Sequence, residues 1–232
     1  MFSEVVTRYV DEALAQGRRR GSMKFPGKLP EAMRDRSIPP VNDWIGWKAI
    51  PTTISDADLD ALEREAGLEF PPLYRDFLRY RHFVGLTETG VRFERHISDE
   101  WQATLRELYS YSREYMLDVG LLPFGSECFM DAGQACFDTR FRLPDGDCPV
   151  VFWDHEWVGT PKEIGALFSS SRKMFECLYM FAANDLNFIY HDPTYDDDAL
   201  LPRKRELLAQ FLAIDPEGAG GPARDYWTAW GV

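Results

Sequence analysis

Lysine is scarce in this sequence, with six residues against twenty arginines, and positive charge as a whole is outnumbered 26 to 38. The formal net charge is −12. A chain this acidic repels phosphate backbones and anionic headgroups, which argues against direct nucleic-acid binding and against docking on anionic membranes. Long apolar runs are missing too. No stretch reaches the roughly 18 residues a membrane-spanning helix needs. The first segment, Met1–Gly17, carries Glu4, Asp11 and Glu12, so no secretory signal is expected there. Cysteine is limited to Cys128, Cys136, Cys148 and Cys177, with no C-x-x-C pair. Each lies among apolar neighbours, which predicts buried free thiols and a reducing, cytoplasmic setting.

Signatures of catalysis and of bound cofactors are also lacking. Gly218-Ala219-Gly220-Gly221 has no Lys-Ser/Thr after it and no strand-turn-helix setting, so it reads as neither a P-loop nor a dinucleotide site. Ser126 has no second glycine to complete a nucleophile elbow. The four histidines, His82, His96, His155 and His191, show no i, i+3 or i, i+4 pair. On a strand, His155 would face away from Asp154 and Glu156, so no local ligand cluster forms. The acidic stretch Asp192–Asp198 lacks the bend glycine of an EF-hand and has Arg203 where the closing glutamate belongs. No catalytic, cofactor or metal residue is assigned, and the chain reads as a binding protein, not an enzyme. The catalytic alternative is a hydrolase using His155 with Asp138, Asp154 or Glu156; paired-carboxylate hydrolysis, which needs two carboxylates about 5–10 Å apart in a cleft, is not pointed to by any motif.

What is present is a sizeable core. Hydrophobic residues make up 45% and aromatics 14%. The charge is uneven: residues 1–50 carry nine Lys/Arg and six Asp/Glu, a net +3, and residues 51–232 carry 17 and 32, a net −15. Phe2, Val5, Val6, Tyr9, Ala13 and Leu14 recur at helical spacing up to Gly17. Arg18–Pro40, basic and holding four prolines, reads as an extended arm wrapped on the surface. Ser55 with Asp58 predicts a capping box, Leu59, Leu62 and Ala66 an inner stripe, and Gly67 a stop. Pro72 opens a second helix with Tyr74, Phe77, Leu78 and Arg81 on one face. A third helix is expected over Ser98–Asp118, with Trp101, Leu105, Leu108, Tyr111, Tyr115 and Met116 as its apolar positions.

Leu121–Phe124 reads as a short strand ending at Gly125. Gln134–Arg142 and Cys148–His155 read as strands joined across Pro144-Asp145-Gly146. Val150–Trp153 is apolar on both faces, so both faces of its sheet should be covered. Phe168–Leu186 predicts an apolar helix capped within Ser169–Ser171, and Pro202–Ile214 a last one. Tyr226, Trp227 and Trp230 should pack back on the body.

Three segments occur in an order that resembles the SUKH superfamily, whose best-known branch is the Smi/Knr-type domain. They are Ile54 to Leu78 with Glu63 and Gly67-Leu68 inside it, then Leu121-Leu122-Pro123-Phe124-Gly125 with Cys136-Phe137-Asp138, then Asp145-Gly146 through Pro149 to Glu156. The likeness covers about residues 44–190. Arg81-His82-Phe83-Val84-Gly85 stands where members often have Asn-Gly, and the third helix is enlarged. The resemblance implies an α+β fold, a mainly antiparallel sheet with helices packed on it, here with N- and C-terminal helical extensions.

The resulting map is 1–43 for the N-terminal helix and basic arm, 44–190 for the SUKH-like domain, and 191–232 for a C-terminal helix and aromatic tail. Bacterial members of the superfamily act as immunity proteins against toxins, often nucleases, and eukaryotic members as regulatory interaction domains. The expected partner is therefore a protein, a basic toxin domain, and the expected contacts are exposed carboxylates at Asp154, Glu156, Asp196, Asp197 and Asp198. A regulatory or scaffolding domain with no toxin partner is the alternative reading.

Overall fold

The structure is a computed structural model and describes residues 2–88, 90–127, 133–154, 164–184 and 197–231. Its centre is a six-stranded antiparallel sheet in the order β10-β9-β8-β7-β6-β5. The strands are β5 (Thr87–Glu88), β6 (Val91–Phe93), β7 (Leu121–Glu127), β8 (Gly133–Asp138), β9 (Val150–Asp154) and β10 (Gly165–Phe168). Every strand pairs with its neighbour in sequence, so the sheet is a meander. Two short ribbons accompany it: β1 (Lys24–Phe25) with β2 (Ile45–Gly46), and β3 (Ile50–Pro51) with β4 (Arg81–His82). With seven helices among the described residues, the fold is α+β.

The helices form where local chemistry directs. In α2 (Asp56–Ala66) Ser55 and Asp58 make the reciprocal capping box, and Gly67, at φ 77°, supplies the left-handed residue that ends it. Glu63 then holds the turn into α3 (Pro72–Tyr80): one carboxylate oxygen accepts from the Phe70 N–H at 2.8 Å and the other from Arg75 at 2.7 Å. In α5 (Ser171–Ala183) the Ser170 hydroxyl accepts from the Lys173 N–H.

Several boundaries differ from the sequence reading. α1 (Glu4–Arg19) runs past Gly17, and the positive φ comes at Gly21. The arm after it is not confined to the surface, because Met23, Leu29 and Met33 are buried. α4 (Trp101–Ser112) is shorter than expected and is followed by a turn and a 3-10 segment, Leu117–Val119. β7 continues through Gly125 with a bulge between Pro123 and Gly125, and a Cβ at Gly125 would meet the Arg92 carbonyl oxygen at 2.2 Å. β8 stops at Asp138, whose carboxylate accepts from the Arg140 N–H and starts a 3-10 turn. β10 occupies the residues just before α5. α6 (Asp197–Ile214) starts five residues ahead of Pro202, and α7 (Arg224–Gly231) follows it.

α1, α3 and α5 cover one face of the sheet and build an aromatic core. Phe77 meets Phe93 at 4.5 Å between centroids, Tyr74 meets Phe137 at 5.0 Å, and Tyr9 of α1 meets Phe175 of α5 at 5.7 Å. At the other end Phe168 packs on Phe211 and Trp227, and the Trp227 indole N–H donates to the Leu167 carbonyl at 3.0 Å. One continuous cluster of buried side chains therefore runs from Val6 to Trp227. The opposite face carries a small cluster of its own, Leu121, Cys136 and Val151 under Met116, with Trp153 and Ile164 at its margin. Both faces of β9 are thus covered, as its apolar pattern required.

Candidate interaction surface

Of the expected contact carboxylates, Asp154 alone has a described side chain. Asp154 ends β9 on the same side as Val150 and Phe152, because side chains on a strand alternate. That side faces the main core, and Asp154 is only 8% exposed, so it is not the exposed carboxylate the sequence reading expected. Glu156 and Asp196 lie outside the described residues, as does His155. Asp197 and Asp198 open α6.

Asp138 and Asp154, two of the carboxylates considered beside His155, are far from each other. Gly133 is opposite Asp154 and Asp138 is five residues further along β8, so the two carboxylates stand roughly 16 Å apart along the strand. Asp138 is moreover held by the Arg140 guanidinium, with both carboxylate oxygens at 2.7 Å.

Other carboxylates turn inward to hold the chain. Asp147 accepts from the Cys148 N–H at 2.8 Å, from the Ser171 N–H and hydroxyl, and from the Arg172 N–H at 3.0 Å. Asp215, fully buried, accepts from the backbone N–H groups of Ser169, Gly218 and Ala219. Both carboxylates satisfy backbone donors that burial would otherwise leave unpaired. Among the described residues no cluster of three His, Cys, Asp or Glu could hold a metal ion. Burial raises the three described thiols, Cys148 to about 11 and Cys136 and Cys177 likewise upward, so none is poised as a nucleophile.

A shallow cleft of about 260 Å³ lies between the starts of α2 and α4, lined by Thr53, Ile54, Asp58, Ser98, Asp99, Trp101 and Gln102. Trp101 packs on His96, which stacks on His82 at 4.9 Å. The His82 Nδ1 pairs with the His96 carbonyl and the His96 Nδ1 with the Arg81 carbonyl. Burial, followed by the neighbouring His82, lowers His96 to about 3, and burial also lowers His82. The pair is neutral and structural, tying β4 to the chain that enters α4.

The surface best equipped for contact is the one sequence reading assigned to the core. The stripe Trp101, Leu105, Tyr109 and Ser112 faces inward, whereas Tyr111 lies roughly 100° off it on the helix and is 74% exposed. The chain leaving α4 crosses to the outer side of the sheet. There Met116 is buried over Cys136, and Tyr115, 42% exposed, rests on Trp153 at 6.2 Å. Glu107 and Tyr111, at i and i+4, share one exposed side of α4, and Glu114 is exposed two residues past its end. The nearby cations are engaged: Arg106 grips Glu65 with two nitrogens, at 2.7 and 3.0 Å, and Arg113 donates to the Glu65 carbonyl.

No helix among the described residues is long and apolar enough to cross a membrane. No curated protein matches the chain. Residues 53–176, more than half of the sequence, match the SMI1 / KNR4 family (SUKH-1). That span begins in the connection between β3 and the capped helix α2, holds the whole β5–β10 meander and ends within α5, the helix that closes the core, and this chain belongs to the SMI1 / KNR4 family (SUKH-1).

Proposed function

We propose that this chain is a protein-binding module, an intracellular immunity protein that binds a polymorphic toxin and blocks its active site, with nuclease toxins the favoured class. Membership of the SUKH-1 family carries the reading. The charge distribution supports it, since residues 51–232 hold 17 basic and 32 acidic residues. A nuclease presents a basic cleft to phosphate, and an acidic inhibitor is steered to the same cleft, raising association rates toward roughly 10⁸ M⁻¹s⁻¹ at low salt. Glu156, Asp196, Asp197 and Asp198 remain proposed contacts under this reading. Asp154 could take part only after uncovering.

The test is protection. The toxin domain encoded beside this chain's gene is expressed in cells with and without it, and survival and complex formation are measured. Survival with an isolated one-to-one complex is expected. Failure to protect against every neighbouring toxin, with constant recovery in a housekeeping assembly, would instead support a scaffolding role.

A further inference from the structure

We propose that the exposed side of α4 and the turn after it, formed by Glu107, Tyr111, Glu114 and Tyr115 and backed by Trp153, is the docking surface for a lysine- and arginine-rich patch on the partner protein. This inference rests on the reading of the chain as a toxin-binding module.

Four observations converge on it. First, Tyr111 and Tyr115 are among the eight large hydrophobic side chains left exposed among the described residues, Tyr111 in the last turn of α4 and Tyr115 in the turn that follows it. Tyrosine supplies broad contact area with little rotamer entropy to lose, which is why it dominates binding surfaces evolved for proteins. Second, the two rings stand on rigid support: Tyr115 lies against Trp153, and Met116 beside it is buried in the small outer cluster. Third, the charges are sorted. Arg106 and Arg113 turn to Glu65, whereas Glu107 and Glu114 make no ion pair among the described residues. Arg92 is on the outer face, next to Glu94, three strands away from Trp153. Fourth, an aromatic ring flanked by carboxylates is the environment a guanidinium or ammonium prefers, with the cation over the ring face and the carboxylate at its edge. A second copy of this chain would bring like charges together, and a nucleic acid would meet the same repulsion.

The test uses the full chain and the toxin domain encoded beside its gene, with affinity and association rate measured at low and at physiological salt. Y111A/Y115A should weaken binding roughly tenfold or more, as loss of central aromatic contacts does. E107K/E114K should slow association about tenfold at low salt and less at high salt. E217K, a charge reversal in the exposed α6–α7 connection, should stay within about twofold of wild type. All four positions of the two double variants are exposed, so unchanged melting temperatures show that the fold is kept. Wild-type binding that survives both double variants within about twofold would overturn the surface and leave the functional reading standing. Self-association of the chain that Y111A/Y115A abolishes would overturn it as well. If the unmodified chain binds no such toxin, the functional reading falls and takes this surface with it.

Discussion

At the scale of single residues, polar side chains in this protein are used mostly to close structure. His96 illustrates the consequence for pH. Its imidazole is buried and titrates at about 3 when folded, against about 6.5 in the unfolded chain. Below pH 6.5 the unfolded state therefore binds a proton that the folded state refuses, and stability falls as the pH drops from 6.5 toward 3. Lowering the pH from 7 to 5 should remove about 2 kcal/mol through this group alone. Urea melts of wild type and His96→Gln across that range check it, and a wild-type slope no steeper than the variant's would refute the assignment. Residues of this kind were hard to foresee. The capping pair Ser55 and Asp58 could be read directly, because their partners lie three positions away. Asp147 and Asp215 could not, because beside their local partners they hold N–H groups of Ser171 and Ser169, far along the chain.

At the scale of elements, helical periodicity located α4 but not its orientation. Tyr109 and Tyr111 are two positions apart and equally aromatic. Only the assembled fold shows that Tyr109 enters the core beside Phe70 and that Tyr111 faces solvent. Tyr109→Ala should cost about 3–4 kcal/mol by opening a cavity, and Tyr111→Ala should change stability by less than about 0.5 kcal/mol. Chemical denaturation of the two variants separates them, and similar losses would mean that the helix is rotated from the position described. Short elements were less legible. β10 spans four residues, Gly165–Phe168, of which the expected helix took in only Phe168, and α7 was hidden by the glycines around Gly218–Gly221. Turn chemistry located the β8–β9 hairpin across Pro144-Asp145-Gly146, but not the β5, β6 and β10 strands that complete the meander. The sheet's buried outer face followed from the unbroken apolar run Val150–Trp153.

At the scale of the molecule, the family match and the folding unit have different limits. Residues 53–176 define the family, yet Val6, Tyr9 and Val10 before them and Leu207, Phe211 and Trp227 after them are all in the continuous core. Each such side chain contributes roughly 1.5–3 kcal/mol on burial. Their sum, on the order of 10 kcal/mol, is comparable with the entire stability of an ordinary domain. A fragment of residues 53–176 is therefore expected not to fold on its own, and circular dichroism with a thermal melt checks this: a cooperative transition matching the full chain would overturn it. The docking surface around Tyr111 lies within the matched span, and the two terminal extensions support it from the opposite side of the sheet.

The contact between Tyr9 of α1 and Phe175 of α5 joins residues that are 166 positions apart. A ribosome adding about 5–20 residues per second presents α1 roughly 10–30 s before its partner helix exists. During that interval α1 can meet α3 and Phe93 but not α5, so part of its apolar stripe stays uncovered and the nascent chain depends on chaperones or on speed of synthesis. Slow codons between the two helices would therefore lower the yield of folded protein without altering a single residue of it.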